Sequence, residues 1–90
     1  MCITMTTNTP LESLVTFITS IKEKHLADIL DDLLSPKEIQ EFAERIEILR
    51  KLEKGQAQRA IAADLGISVT TVSRGSRVLQ YGKQKIKKYL

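Results

Sequence analysis

The chain lacks most of the means by which small proteins staple themselves together. It has one cysteine, Cys2, and one histidine, His25. A single cysteine excludes an internal disulfide, and the pair cannot supply a metal site of soft ligands, so no metal is expected. No apolar run approaches membrane-spanning length, and the start, Met1 to Asn8, has neither a basic beginning nor a sustained apolar stretch. Neither a signal peptide nor a membrane partner is therefore expected, and the expected compartment is the cytoplasm. Residues 1–8 read as a disordered tail, with Met5 an alternative start. At 90 residues the chain buries only roughly 60% of its unfolded surface, so its core is thin. With disulfide and metal excluded, self-association is the remaining route to stability.

Acid is missing from one end. Residues 1–64 hold eight Lys/Arg and eleven Asp/Glu, for −3, whereas residues 65–90 hold six Lys/Arg and no Asp/Glu, for +6. The six are Arg74, Arg77, Lys83, Lys85, Lys87 and Lys88. A basic C-terminal third on a mildly acidic body suits a polyanionic partner at that end.

What is present is helical periodicity. Alternating strand patterns, repeats and low-complexity tracts are absent, so the class is all-α, a small helical bundle. Thr9-Pro10-Leu11-Glu12 is a helix start, with Thr9 as cap, Pro10 in the first turn and Glu12 able to reach back. Apolar residues then recur helically from Leu11 to Leu33. Either this stretch breaks near Lys22–His25 or it runs on to meet a partner chain. His25, on the margin of the stripe, is expected to pack rather than to bind.

Ser35-Pro36-Lys37-Glu38 repeats the start signal. Ile39, Phe42, Ala43, Ile46, Leu49 and Leu52 follow as an apolar face, and Gly55 supplies a left-handed stop. Glu41–Arg45 and Glu47–Lys51 are i,i+4 pairs in the favourable order. A short helix from Gln56 to Asp64, a turn at Leu65-Gly66-Ile67 and a helix from about Val69 come next. Ser68 is the cap of the last, and Gly75 or Gly82 is a candidate interruption. Lys83 to Leu90 forms a final short helix.

The stretch from Gln58 to Arg74 carries the function. Two short helices cross closely only where the facing residue is small, and Ala62 is small. Four residues on, Gly66 permits the positive φ of the turn. Ile61, Leu65, Ile67 and Val72 are expected to point inward and lock the pair. Ser68, Val69, Thr70 and Ser73 are short and expected to face outward. A helix with short outward residues enters a major groove deeply, where hydroxyls meet base edges and methyls meet thymine. The arrangement is that of a helix-turn-helix over about residues 57–77, the first helix crossing the DNA backbone. Gln58 and Arg59 then lie where phosphate or a guanine edge is reached.

Leu34-Ser35-Pro36, Arg45-Ile46, Leu52, Gly55, Gln58-Arg59, Ile61-Ala62 and the run Thr71-Val72-Ser73-Arg74-Gly75-Ser76 together resemble the tryptophan operon repressor superfamily. The resemblance covers roughly residues 30–81, and Ser73-Arg74-Gly75-Ser76 is its most specific element. It implies one helical domain over residues 9–90, an intertwined homodimer, and repression by binding a near-palindromic double-stranded DNA operator. It further implies L-tryptophan as a corepressor, a small amino-acid ligand between the long central helix and the reading helix. Carried over by position, Arg45 and Arg74 flank that ligand, Arg74 taking its carboxylate through a two-pronged guanidinium. Thr71 and Gly75 line the pocket beside the indole, Leu49 gives an apolar wall, and Leu34 and Ser35 reach in from the partner chain.

Three positions depart from the family pattern. One residue fewer separates Gly55 from Gln58-Arg59, Val78 stands where the repressors often carry serine near the ligand's amino group, and Ala62 replaces a basic residue. A regulator with another ligand or none therefore stays open beside the tryptophan reading. Two rival classes fit less well. A DNA-processing enzyme needs acidic metal ligands or an activated serine, and Asp31 and Asp32, adjacent on a helix, diverge; no enzyme is expected. A helical adaptor would use the basic tail on some other acidic partner.

Overall fold

The computed structural model describes residues 9–83 and 85–90. The expected tail over residues 1–8 lies outside that range. Five α-helices follow one another: α1 (Pro10–Thr19), α2 (Leu26–Leu33), α3 (Pro36–Glu53), α4 (Gln58–Leu65) and α5 (Val69–Tyr81). Short 3₁₀ segments occupy Glu23–His25 and Lys85–Tyr89. Among the described residues there is no strand, so the chain is all-α. It divides into two compact units, Met1–Pro36 and Lys37–Leu90.

In the first unit the Thr9 cap closes in both directions. Thr9 Oγ1 accepts from the Glu12 amide at 3.1 Å, and Glu12 Oε1 accepts from the Thr9 amide at 2.9 Å. The long apolar stripe is broken rather than continuous. Thr16, Thr19 and Ser20 turn their hydroxyls back onto the carbonyls of Glu12, Val15 and Phe17 at 2.9, 2.8 and 2.7 Å. Such back-bonding competes with the helix ladder and favours an end. α1 accordingly stops at Thr19, and the chain turns through Ser20 to Lys22 before α2. The break rotates His25 out of the stripe. The residue is exposed in the 3₁₀ turn, contrary to the packing role its sequence position suggests. No residue of α1, the turn or α2 is buried.

The second unit holds the core. Ile48 of α3, Ile61 and Ala62 of α4 and Val72 of α5 form one buried cluster, with Leu52, Leu65 and Ile67 packed against it. Ile61 and Val72 have no exposed surface at all. Two glycines with positive φ cut the chain at the required points. Gly55, at φ 88°, ends α3 with its amide on the Leu52 carbonyl at 2.9 Å and the Gln56 amide on the Lys51 carbonyl at 3.1 Å. This pair of bonds is a Schellman stop. Gly66, at φ 68°, does the same for α4, the Ile67 amide reaching back to the Ala62 carbonyl at 3.0 Å.

On α3 the buried face matches the expected one only in part, Leu49 and Leu52 turning inward as expected. Ile48 and Leu49 are buried, while Phe42 and Ile46 are 46% and 43% exposed. Helices α4 and α5 reach α3 on the face of Ile48 and Leu52, of which the sequence spacing picks out Leu52 but not Ile48.

Candidate nucleic-acid interface and ligand cleft

Helices α4 and α5 form a bent pair about Gly66. Ala62, 6% exposed, is the small residue at the crossing, and Ile61 and Val72 close the interior. Helix α5 begins at a cap: Ser68 Oγ accepts from the Thr71 amide at 3.1 Å and lies 2.9 Å from Thr71 Oγ1. This cap fixes the first turn of α5, where Ser68, Val69 and Thr70 are all exposed. They are the short, outward residues expected of a groove-reading helix. Arg59, in the first turn of α4, is exposed as well.

Ser73 and Gln58 sit differently from the other four DNA-contact candidates. Both are half-buried, and the Ser73 hydroxyl donates to Gln58 Oε1 at 2.7 Å. The bond links the second turn of α5 to the first turn of α4, fifteen residues back. Sequence spacing puts both residues on the DNA side but gives no sign that they meet.

A second feature lies between α3 and α5. Gly75 brings the two helices together, for a Cβ at its position would stand 2.8 Å from Ile48 Cγ2, 3.4 Å from Leu52 Cδ1 and 3.6 Å from Leu49 Cδ2. Beside this close approach opens a cleft of about 550 Å³. Its walls are Glu41, Glu44, Arg45 and Ile48 from α3 and Thr71, Arg74, Gly75 and Val78 from α5. The volume lies within the range of small-molecule sites. Of the ligand-site candidates, Arg45, Thr71, Arg74 and Gly75 line the cleft. Leu49 is buried beneath Gly75 rather than on the cleft wall, and Leu34 and Ser35 belong to the first unit.

Glu44 and Ile48 line the cleft although their sequence context does not single them out, and Glu41, marked in the sequence only as a partner for Arg45, lines it too. Their spacing, with Arg45, is the i, i+3, i+4, i+7 pattern of one helix face, and that pattern is the available signal. The Glu41–Arg45 ion pair expected from spacing does not form. The Arg45 guanidinium instead lies over the Phe42 ring, 5.6 Å from its centroid. An exposed cation–π contact of about 0.5–1 kcal/mol competes well with an exposed i,i+4 ion pair of about 0.3–0.5 kcal/mol. Glu47 and Lys51 do approach, at 4.0 Å. Among the described residues neither Glu41 nor Glu44 pairs with Arg45 or Arg74, so both signs of charge face the cleft uncompensated.

Exposed lysines continue beyond α5, with Lys83, Lys85, Lys87 and Lys88 all at the surface and Lys88 Nζ 5.7 Å from the centre of the Tyr89 ring. Among the described residues no group of His, Cys, Asp or Glu could hold a metal ion, and no helix is long and apolar enough to cross a membrane.

A bent helix pair, a capped second helix and an arginine-lined cleft against a long helix are one combination. The family described as Trp repressor protein matches residues 9–90. The chain belongs to the Trp repressor family. Among its relatives, the uncharacterized protein YerC of Bacillus subtilis (strain 168) is 37% identical over 73 residues, covering 80% of this chain and 70% of YerC. A Trp operon repressor homolog of Chlamydia trachomatis serovar L2 is 37% identical over 70 residues, covering 77% and 74% of the two chains. Another, from Vibrio vulnificus (strain YJ016), is 36% identical over 62 residues, covering 68% and 61%. No solved structure gives a significant match. The Trp repressor family is regulatory and DNA-binding, not enzymatic.

Proposed function

We propose that this Trp repressor family member is a sequence-specific transcriptional repressor that binds a near-palindromic operator as a homodimer in the cytoplasm. The observation that carries the reading is the start of α5, where Ser68, Val69 and Thr70 stand exposed on a helix whose opposite face, Val72 and Gly75, is buried. Short hydroxyl and methyl groups on a rigid helix suit base edges in a major groove. Arg59 and Gln58 then meet the backbone, and the lysines after α5 add sequence-independent attraction. Two reading heads about one helical turn apart would cover two half-sites and block a promoter that overlaps them.

Self-association is supported by what stays uncovered. α1 exposes Leu11, Leu14, Val15 and Phe17, α2 exposes Leu33, and α3 exposes Phe42 and Ile46. On α1 the four lie within seven residues, and a run of exposed apolar groups of that kind suits cover by another chain. A second copy of the chain gives them cover, and the same partner would bring Leu34 and Ser35 to the cleft.

For the cleft we propose L-tryptophan as corepressor. Arg74 would take the carboxylate and Arg45 the other face, with Thr71 and Gly75 beside the ring and Leu49 as apolar backing beneath Gly75. The presence of Glu41 and Glu44 on the same walls suits a ligand that carries a positive group too. Binding would fix the tilt of α5 so that both heads fit together, the ordering cost being met by the ligand rather than by DNA. Val78 in the cleft favours a second reading, a different ligand or none, because it offers the ligand's amino group no hydrogen bond.

The test is selection of bound duplexes from a random pool, with and without millimolar L-tryptophan. A two-fold-symmetric consensus is expected, enriched when tryptophan is present. A melting experiment runs beside it, since a native-state ligand at a hundredfold excess over its Kd stabilises by about 2.7 kcal/mol. Selection of one consensus with no tryptophan-dependent shift in melting would leave the repressor reading and remove the corepressor. Absence of any consensus would remove the repressor reading itself.

A further inference from the structure

We infer that Ser73 acts on DNA through Gln58: it is a positioning residue, not a base reader, and it aims the Gln58 amide at a backbone phosphate. The inference rests on the DNA-binding reading above and goes beyond it in assigning separate roles to two residues of one face.

The chemistry follows from the donor count. A serine hydroxyl has a single proton to donate, and here it goes to Gln58 Oε1 at 2.7 Å. Ser73 therefore has none left for a base acceptor or a phosphate oxygen. Its half-burial between the two helices also holds it back from the groove that Val69 and Thr70 face. Gln58 is changed in the opposite sense. With its oxygen engaged, the amide can no longer rotate freely, and its two Nε2 protons have no partner among the described residues. A fixed pair of donors at the first turn of the helix that crosses the DNA backbone matches an acceptor-only group, the phosphodiester oxygen. A neutral amide releases no counterion, so this contact adds affinity without salt dependence. Arg59, one residue on, is the charged and salt-sensitive neighbour.

The experiment uses the full chain with Ser73→Ala, Ser73→Thr, Gln58→Ala and the double alanine variant. Each is measured on the selected operator and on an unrelated duplex, at several salt concentrations, with a melting curve to verify folding. Ser73→Ala is expected to weaken binding about three- to tenfold on both duplexes, the worth of one hydrogen bond, and to leave the selected consensus and the salt slope unchanged. In the Gln58→Ala background the same Ser73→Ala change is expected to cost nothing further on DNA. A residue with only a structural role would still exact its loss there. Ser73→Thr keeps the hydroxyl and should restore wild-type affinity.

A change of base preference at any operator position in Ser73→Ala overturns the inference, as do additive losses in the double variant. If the wild-type chain binds no duplex, the DNA-binding reading and this one fall together. If it binds and the losses add, only this one falls.

Discussion

Replacing Gly75 by alanine sets two opposed effects against each other, and the distances decide between them. Alanine in a helix interior is favoured over glycine by about 0.8–1.0 kcal/mol, so an open site would gain stability. At Gly75 the new Cβ would lie 2.8 Å from Ile48 Cγ2, against about 3.5–4.0 Å for carbons in contact. Ile48 cannot yield easily. It is 2% exposed, and a β-branched side chain in a helix has essentially one χ1 rotamer, which fixes Cγ2. The strain therefore passes to the helices, and α5 must move off α3. Overpacking of this kind costs about 1–3 kcal/mol, so the net loss is about 1 kcal/mol, or a fall in Tm of about 4–8 °C. Circular dichroism melts at one fixed protein concentration measure it. Adding Ile48→Leu, which removes the branch at Cβ, should recover part of the fall. A rise in Tm for Gly75→Ala alone would refute the reasoning, since it would mean that α3 and α5 are not pressed together there.

Other perturbations separate the remaining forces. Gly66→Ala meets no atom within 4 Å but must hold φ 68°, so it should cost about 1–2 kcal/mol through backbone strain alone and Ile48→Leu should not rescue it. Ile61→Ala empties a side chain with no exposed surface and should cost about 2–5 kcal/mol, read as a lower urea midpoint; an unchanged midpoint would deny that this cluster is the core. Ser68→Ala removes the cap on the Thr71 amide and should cost about 1 kcal/mol in the same melts. Changing Lys83, Lys85, Lys87 and Lys88 to glutamine should flatten the log–log salt dependence of DNA binding by about 0.9 for each phosphate no longer neutralised, with the consensus unaltered. A steep slope that persists in that variant would assign the phosphates to other residues.

Much of this protein is legible without coordinates because its signals are local. Thr9-Pro10-Leu11-Glu12 is a capping box in sequence and in space, with both bonds formed. Gly55 and Gly66 end helices with positive φ as their positions require, and Ser68 caps α5. The four residues expected to lock the helix pair are its core or pack against it. Less legible are competitions between neighbours. Hydroxyl back-bonding ends α1 at Thr19, and the Phe42 ring draws Arg45 from Glu41. The second turns on a difference of about a few tenths of a kcal/mol and the first on side-chain bonds to the backbone, neither of which spacing resolves.

The chain's own order of residues therefore determined where α1, α3 and α5 begin, where α3 and α4 stop, which short segment bends about Gly66, and which end is basic. Those features depend on dihedral preferences, capping bonds and formal charge within a few residues of one another. Only the tertiary structure decided that Ile48 rather than Ile46 is buried, that Gly75 lets α5 rest on α3 beside a cleft, and that Ser73 spends its proton on Gln58. Each of these depends on two distant segments meeting at a particular rotation, and a helical repeat read along one segment carries no information about the rotation of the other.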